Sequence, residues 1–596
     1  MTDKHLFDLP PSLLRLSPTE GAQMRLCKHY WKTPVWESPF SCAQRAECSV
    51  QAWLRSLGQN VGQCWRRHIR GWLHHHLASF QPCLDQHLSY VANLTVPLDH
   101  VAVQEDKDKA SCWILPTMVY QKLVALMVNQ DVDHWVRHQG CAADIAEKYR
   151  QAHVTRLPPF LQACCGPSRW KNWKLAYMYV NIKSKCFRSG FGRTCSKDFH
   201  ACCRRVVSWA AHPCKRLYKA TARGLEAAIR LWGKGFETHD LFSAVSDLRA
   251  AVSKLRHDHG CLSQCYKCCS PKPPLCAWVG DAAQLFEEIS RDEVLRRLRL
   301  VFAELRDSSH HSFGVVTKKS RRLHYWVARN NFRPTAGSHL HRWDDMLTIA
   351  ELALMQTCVN VGPVLFEQRR GVPIGGFLSK QCASVILGVS EAHWVDTNKG
   401  QGVWYPPMMR FCEAIAATRY VDDLCLVSSV LCTNCLHELP SHMYDKPVSF
   451  DATQQTDLGL PWLDVWIQCV GLDMHVHAHG VESTWRSLAA QGILELPTKF
   501  RLMPFQGEAL LDVPQLLALL HGKLNRWRSL DLPLASLHRA VECELQIWAL
   551  HGYPLGVMLK IWRRGRYCPP AIKHAREILT KAIAVRGTQA CVCINL

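Results

Sequence analysis

The 596-residue chain has no run of 18 consecutive apolar residues, so no membrane-spanning helix is predicted. Its first stretch, "MTDKHLFDLPPSLLRLSPTEG", carries Asp3 and Asp8 and no apolar h-region, and does not read as a secretory signal. No fixed-period repeat and no low-complexity block interrupts it, which excludes solenoids and compositionally biased tails. The 30 cysteines fall short of disulfide-scaffold density. Without a signal, most of them read as reduced thiols of the nucleus or cytoplasm, in a chain that is not secreted. Acids are scarce relative to bases, with 50 Asp+Glu against 72 Lys+Arg and a net charge of +22. That balance predicts a polyanionic partner, with nucleic acid first and an anionic membrane surface as the bland competitor. The remaining composition, 48% hydrophobic and 20% charged, is that of a globular protein. The length exceeds what one core supports, so two to four domains are expected.

Residues 1–96 mix Trp, His and Cys with short helical patterns and read as a helical extension. Residues 97–150 predict a short extended piece followed by the helix "PTMVYQKLVALMVNQDVDHWV". The strongly basic stretch 170–240 predicts two strands joined by a Gly-rich turn, then a helix starting near Pro213. The Pro-flanked cluster "CLSQCYKCCSPKPPLC" comes next. The strand "AWVGDAAQLFEEI" then runs into the helix "SRDEVLRRLRLVFAELR". A basic loop containing "TKKSRR", a long helix and the Gly-rich "RRGVPIGGFLSK" feed a further helix. "EAIAATRYVDDLCLVSSV" is an apolar strand with two acids at its centre, and "VSFDATQQTDLGLPWLDVWIQCV" alternates like a hairpin. Beyond about residue 500 the pattern is helical.

Two adjacent acids inside an apolar strand are costly unless protonated, paired with Arg or Lys, or faced by a divalent cation. Successive strand residues point to opposite faces. Asp422 and Asp423 can therefore serve one metal cluster only at a tight hairpin turn, which "YVDDLCLV" allows. A cluster needs a further carboxylate, and Asp281, at the end of another apolar strand, is the best candidate. Hard Mg²⁺ ions take oxygen ligands and few protein carboxylates. A pair of such ions can activate a hydroxyl and steady a leaving pyrophosphate, which is nucleotidyl transfer chemistry.

These residues lie in blocks that resemble reverse transcriptases, in the family's order. "NIKSKC" and "CRRVVSWAAHPCKRLYKAT" resemble two fingers blocks, "DAAQLF" the Asp-x4-aromatic block, and "GVPIGGFLS" the Gly-x-Pro-x-Gly loop. "RYVDD" resembles the catalytic pair and "LPWLDVWI" the primer grip. Within that superfamily, "EDKDKASCWILPTMVYQKL", "FEQRRGVPIGG", "LPWLDV" and "HGYP" resemble Penelope-like retroelements, and together the blocks span about 100–555. The resemblance implies an α+β right-hand polymerase, with fingers, a palm built on an antiparallel sheet, a helical thumb and the N-terminal extension. Its implied boundaries are 97–275 for the fingers and N-terminal blocks, 276–490 for the palm and 491–596 for the thumb and tail.

The resemblance also implies residue roles. Asp281, Asp422 and Asp423 would hold Mg²⁺ or Mn²⁺. Lys183, Arg204, Phe286, Gly375 and Tyr420 would meet the incoming nucleotide, and Trp462, Leu463 and Asp464 would form the primer grip. RNA template, DNA primer and dNTPs are the implied partners, with no membrane. An aromatic ring at Phe286 would collide with a ribose 2′-hydroxyl, favouring dNTPs over the alternative of an RNA-dependent RNA polymerase. A catalytically inactive, basic nucleic-acid-binding remnant is a second alternative. The sequence departs from the family at Ile374 and Arg205, Lys446 is a weak match for the usual lysine after the acid pair, and the tail shows no GIY-YIG endonuclease motif.

A separate metal reading concerns sulfur. Cys261, Cys265, Cys268 and Cys276 have near-zinc spacing and could hold Zn²⁺. Cys186, Cys195, His200, Cys202 and Cys203 form a looser group. Free thiols in a Cys-rich chain are the competing reading of both.

Overall fold

The computed structural model describes 15–16, 100–104, 112–116, 120, 124, 127–128, 131–162, 170, 173–182, 203–240, 243–257, 263–307, 313–317, 324–328, 338–361, 364–455, 459–463, 465–478, 513–550 and 555–586. It is a mixed α+β chain dividing into two compact units, one of residues 1–122, 181–204 and 480–596 and the other of 123–180 and 205–479. In the first unit β1 (Arg15–Leu16), β2 (His100–Gln104) and β3 (Cys112–Pro116) form a small antiparallel sheet in the order β1-β3-β2. Its C-terminal part is a bundle of four helices: Val513–Leu530, Leu534–Leu550, Leu555–Trp562 and Pro569–Arg586. Leucines recurring at helical spacing meet the fully buried Trp548 and Trp562 in that bundle's core. The helical pattern expected beyond about residue 500 is therefore present from 513; the extension 1–96 otherwise lies outside the described residues.

The second unit carries most of the strands. β4 (Trp135–Arg137), β5 (Tyr177–Ile182), β6 (Cys203–Ser208), β11 (Cys358–Val361) and β12 (Val364–Gln368) make a five-stranded sheet ordered β4-β12-β11-β5-β6. The two predicted basic strands are thus real neighbours. After them comes α2 (Lys215–Trp232), preceded in the chain by α1 (Ala142–Arg156). β8 (Phe313–Thr317), β9 (His324–Ala328) and β10 (Ser338–Arg342) form a separate antiparallel sheet where the sequence reading placed a basic loop.

The central sheet is ordered β13-β14-β7-β15, from β7 (Cys276–Ala283), β13 (Ile415–Tyr420), β14 (Asp423–Ser428) and β15 (Ser449–Ala452). β16 (Leu460–Trp462), β17 (Val465–Val470) and β18 (Asp473–Ala478) complete a three-stranded sheet. The predicted "VSFDA…LDVWI" hairpin is therefore split: β15 pairs with β7, whereas β16 pairs with β17. β7 passes through the short helix α3 (Leu285–Glu288) into α4 (Arg291–Asp307), followed later by α5 (Trp343–Leu354), α6 (Ser379–Asp396) and α7 (Thr433–Met443). α4 buries Val294, Leu298, Val301, Phe302 and Leu305, a stripe at i, i+4, i+7, i+8 and i+11 that faces the core. Its Phe302 stacks on Trp343 of α5 at 5.1 Å. α6 is buried on nearly all sides, so it runs through the core rather than over it.

The turn between β6 and α2 is fixed by buried histidine. The Cys214 N–H donates to His212 Nδ1 at 3.0 Å, so Nε2 carries the proton and donates to Gln356 Oε1 at 2.6 Å. Burial, with the neighbouring His153, pushes the His212 pKa down to about 3. The folded value lies below the ordinary 6.5, so the unfolded chain binds the extra proton between those two values, and stability falls as pH drops through that window. A loss of about 2 kcal/mol is expected at pH 5 relative to pH 7, at about 1.4 kcal/mol per pH unit below 6.5. Denaturant titrations of wild type and His212→Gln should show this slope flattened in the variant; equal slopes would contradict the assignment.

Candidate active site

β13 and β14 form the tight hairpin that the acid pair requires. Tyr420 and Asp423 are cross-strand partners, leaving Val421 and Asp422 as a two-residue turn. Val421 has φ +59° while Asp422 does not share the positive sign, the pattern of a type II′ turn. A β-branched residue pays steric strain there, about 1–3 kcal/mol, and persists only where its surroundings over-determine it. They do so here through three consecutive carbonyls. Arg419 Nη1 donates to Val421 O at 2.6 Å, the Ala282 N–H to Asp422 O at 2.9 Å, and Trp462 Nε1 to Asp423 O at 3.5 Å.

Asp423 lies directly opposite Asp281 on β7, and Asp281 lies directly opposite Asp451 on β15. Opposed residues of antiparallel ladders share a face, so the three carboxylates form a row across β14, β7 and β15, with Asp422 at the adjacent turn. Asp281 is the one exposed residue among the first six of β7. Like charges directly opposed are destabilising, and a cation relieves them. The sequence reading passed over Asp451, because its place in the row comes from a register that no local pattern reveals. Among the described residues, the group whose ligand atoms all lie within 4.8 Å consists of thiols rather than these aspartates. The hard oxygen donors fit Mg²⁺ or Mn²⁺.

Behind the turn sits a buried ionic network. Arg419 is fully buried and pairs with Glu391 of α6, also fully buried, at 2.5 Å and with Glu237 at 3.5 Å. Glu391 also accepts from Tyr444 Oη and the Phe236 N–H, each at 2.7 Å. Burial pulls the Arg419 guanidinium down, but the Glu391 and Glu237 charges outweigh it and hold the group above its ordinary range. Burial and then Glu391 push the Tyr444 phenol well up, so it remains a donor.

Three of the blocks recognised in the sequence meet through backbone. The Val372 N–H donates to Phe286 O at 2.7 Å, and the Val207 N–H on β6 donates to Ile374 O at 2.8 Å. Gly371, with φ +80°, and Gly375, with φ +94°, make these approaches feasible. A Cβ would stand 2.4 Å from Glu287 O at the first and 2.6 Å from Val207 O at the second. Gly375 is thus required by the loop's own packing.

Phe286 is half-buried and packs against the main core. Tyr420 is half-buried, with Lys380 Nζ 5.9 Å from its ring centre; Lys380, missed in the sequence reading, also pairs with Glu226 at 3.3 Å. Arg204 is half-buried on β6, and Lys183 and Asp464 lie outside the described residues. Trp462 is fully buried, with its Nε1 directed at Asp423 O, and Leu463 turns the chain with φ +56°. Arg205 takes a structural role: it is 4% exposed, pairs with Asp131, and donates to Glu287 at 2.6 Å and Met127 O at 3.1 Å.

The zinc expectation needs correcting. Cys265 and Cys268 do gather with other thiols, but their companions are Cys432 and Cys435. Cys276 is on β7 with its Sγ 3.8 Å from Pro273 O, outside that group. Cys261 lies outside the described residues, as do Cys186, Cys195, His200 and Cys202 of the looser group. Sequence proximity misled because the β7–β14 pairing brings residues about 165 positions apart together.

No family model matches the chain, and no curated protein does. Among solved structures the chain is similar to telomerase from Candida albicans in complex with a TWJ fragment of telomeric RNA, at 11% identity and TM-score 0.40, over 88% of this chain and 78% of that one. It is likewise similar to apo telomerase from Candida tropicalis, at 11% identity and TM-score 0.42, over 87% of this chain and 79% of that one.

Proposed function

We propose that this chain is an RNA-directed DNA polymerase of a Penelope-like retroelement, adding dNTPs to the 3′ end of a primer. The observation that carries the reading is the register that puts Asp281 opposite Asp423 beside a strained hairpin bearing Asp422. In this reading Asp281, Asp422 and Asp423 would hold Mg²⁺, which would supply neutralisation of the charge that develops in nucleotidyl transfer. The protein's own part is positioning. Arg419, Ala282 and Trp462 fix the turn that presents the acids, and the 371–376 loop joins β6 to the residues after β7. Lys183, Arg204 and Lys380 would meet phosphate, for which charge-assisted contacts are strong. The net charge of +22 suits a primer–template, whose binding then weakens steeply with salt.

In this reading Phe286 selects the sugar: it follows Asp281 by five residues, and its half-buried ring packs against the core, where a ribose 2′-hydroxyl would collide with it. Primer extension on matched RNA and DNA templates tests the reading, with dNTPs and NTPs compared for wild type and Phe286→Ala. Wild type should favour dNTPs on RNA, and Phe286→Ala should admit NTPs at least about tenfold better, the worth of roughly 1.4 kcal/mol of relieved clash. Wild-type preference for NTPs would give the site to RNA synthesis. Salt-dependent binding with no turnover would give it to an inactive binding remnant.

A further inference from the structure

We propose that Cys265, Cys268, Cys432 and Cys435 form a structural Zn²⁺ site that clamps the base of the β7–β14 ladder. The four sit as two Cys-x-x-Cys units, "CYKC" at 265–268 and "CTNC" at 432–435. Cys265 Sγ lies 3.6 Å from Cys435 Sγ, Cys268 Sγ lies 3.7 Å from Cys432 Sγ, and all four sulfurs fall within 4.8 Å of one another. Four thiolates around zinc at about 2.3 Å occupy a tetrahedron whose edges are about 3.8 Å. The observed spacing is that of a tetrahedron, and it is far too long for a disulfide, whose sulfurs stand about 2.05 Å apart.

The backbone around the sulfurs is built for thiolates. The loop 263–272 closes on itself through Cys265 N–H to Ser270 O at 2.8 Å, Cys269 N–H to Cys265 O at 2.9 Å and Lys272 N–H to Ser263 O at 2.9 Å. Cys269 takes φ +56° to complete this turn. The Cys432 N–H donates to Cys265 Sγ at 3.3 Å, so one unit's backbone hydrogen-bonds to the other's ligand. Cys432 is the N-cap of α7 and Cys435 lies in its first turn, where the helix dipole favours negative sulfur. Cys265 and Cys435 are buried, whereas Cys268 is exposed and leaves a route for the ion. The Tyr266 N–H to Val430 O bond at 2.9 Å and the Lys267–Glu438 pair at 2.6 Å tie the loop to the segment leaving β14.

Position defines the role. Asp281 and Asp423 mark one end of the β7–β14 ladder, and Cys276 and Ser428 mark the other. The thiol group joins the chain entering β7 to the chain leaving β14, so zinc there would fasten the two acid-bearing strands from behind. Closed four-sulfur coordination has no open position for substrate, which makes the ion structural.

Zinc content of the full chain, purified under reducing conditions and then dialysed, tests this, together with the spectrum of Co²⁺-exchanged protein. Wild type and Asp422→Asn should each retain more zinc, by one equivalent, than Cys265→Ser or Cys435→Ser. Cobalt should show the intense visible bands of tetrahedral thiolate coordination. Stripping the zinc should lower the melting temperature of wild type, and zinc alone should restore it. Equal zinc in wild type and both Cys variants, a cobalt spectrum lacking those bands, or a Cys265–Cys435 disulfide in the reduced preparation would overturn the site. If the Cys variants fail to fold, the cobalt spectrum and zinc rescue of wild type decide. None of these readouts uses polymerase activity, so the result stands apart from the functional reading above.

Discussion

Asp422→Asn is expected to lower single-turnover dNTP incorporation by about 10³-fold or more while leaving the fold intact. The substitution keeps the side chain's size and removes its charge. Metal-assisted stabilisation of developing charge is worth several kcal/mol, and each 1.36 kcal/mol is tenfold in rate. Asp281→Asn should match it, since Asp281 stands between Asp423 and Asp451 in the ladder. Asp451→Asn should have the smaller effect on rate, as this acid lies at the outer end of the row. The variants should be compared at saturating Mg²⁺ with their melting curves taken alongside. Incorporation by Asp422→Asn or Asp281→Asn within about tenfold of wild type would remove the polymerase assignment.

The second large effect is expected away from the acids. Glu391→Leu leaves the buried Arg419 charge with Glu237, at 3.5 Å, as its acidic partner among the described residues, and breaking a buried pair from one side costs about 3–5 kcal/mol. Adding Arg419→Met should recover part of that loss, because it removes the uncompensated charge, while Tyr444 Oη and the Phe236 N–H still lose Glu391 as their acceptor. Activity should not recover with stability. Arg419 also donates to Val421 O, and without it the strained turn loses one of the three donors that hold its carbonyls. A misplacement of about 1 Å at a reacting site can cost about 10²-fold, and a deficit of that order is expected in the double variant. Denaturant unfolding and incorporation rates measured on the same preparations separate the effects. A double variant with near-wild-type rates would show that the network only stabilises the fold. Burial thus gives the "RY" of "RYVDD" unequal tasks: Arg419 props the turn from inside, while Tyr420 is half-buried beside Lys380.

How far the sequence was legible can be followed along individual residues. The hairpin at 415–428 was readable because two adjacent acids in an apolar run have few inexpensive solutions, and a tight turn is one of them. The strand ending at Asp281, the helix 291–307 and the C-terminal helices were readable from local periodicity. The sheet at 313–342 was not, since its basic residues suggest a loop and pairing between strands carries no local signature. The 449–470 stretch misled for a related reason. Its alternation marks strands correctly, but the partner of β15 is β7, some 170 residues earlier.

The sequence alone determined the chemistry on offer: an excess of positive charge, three aspartates in apolar strands, a glycine loop and a chain rich in thiols. Those are properties of residue type and near-neighbour spacing, which survive without a fold. Only the tertiary structure decided which groups act together. Pairing of β14 with β7 set Asp423 against Asp281, pairing of β15 with β7 added Asp451, and burial of Glu391 gave Arg419 its partner. The same pairing brought Cys265 and Cys268 to Cys432 and Cys435 rather than to Cys276. Strand register is set by long-range burial, where a shift of one residue turns every side chain to the other face, and no local window of sequence contains that information.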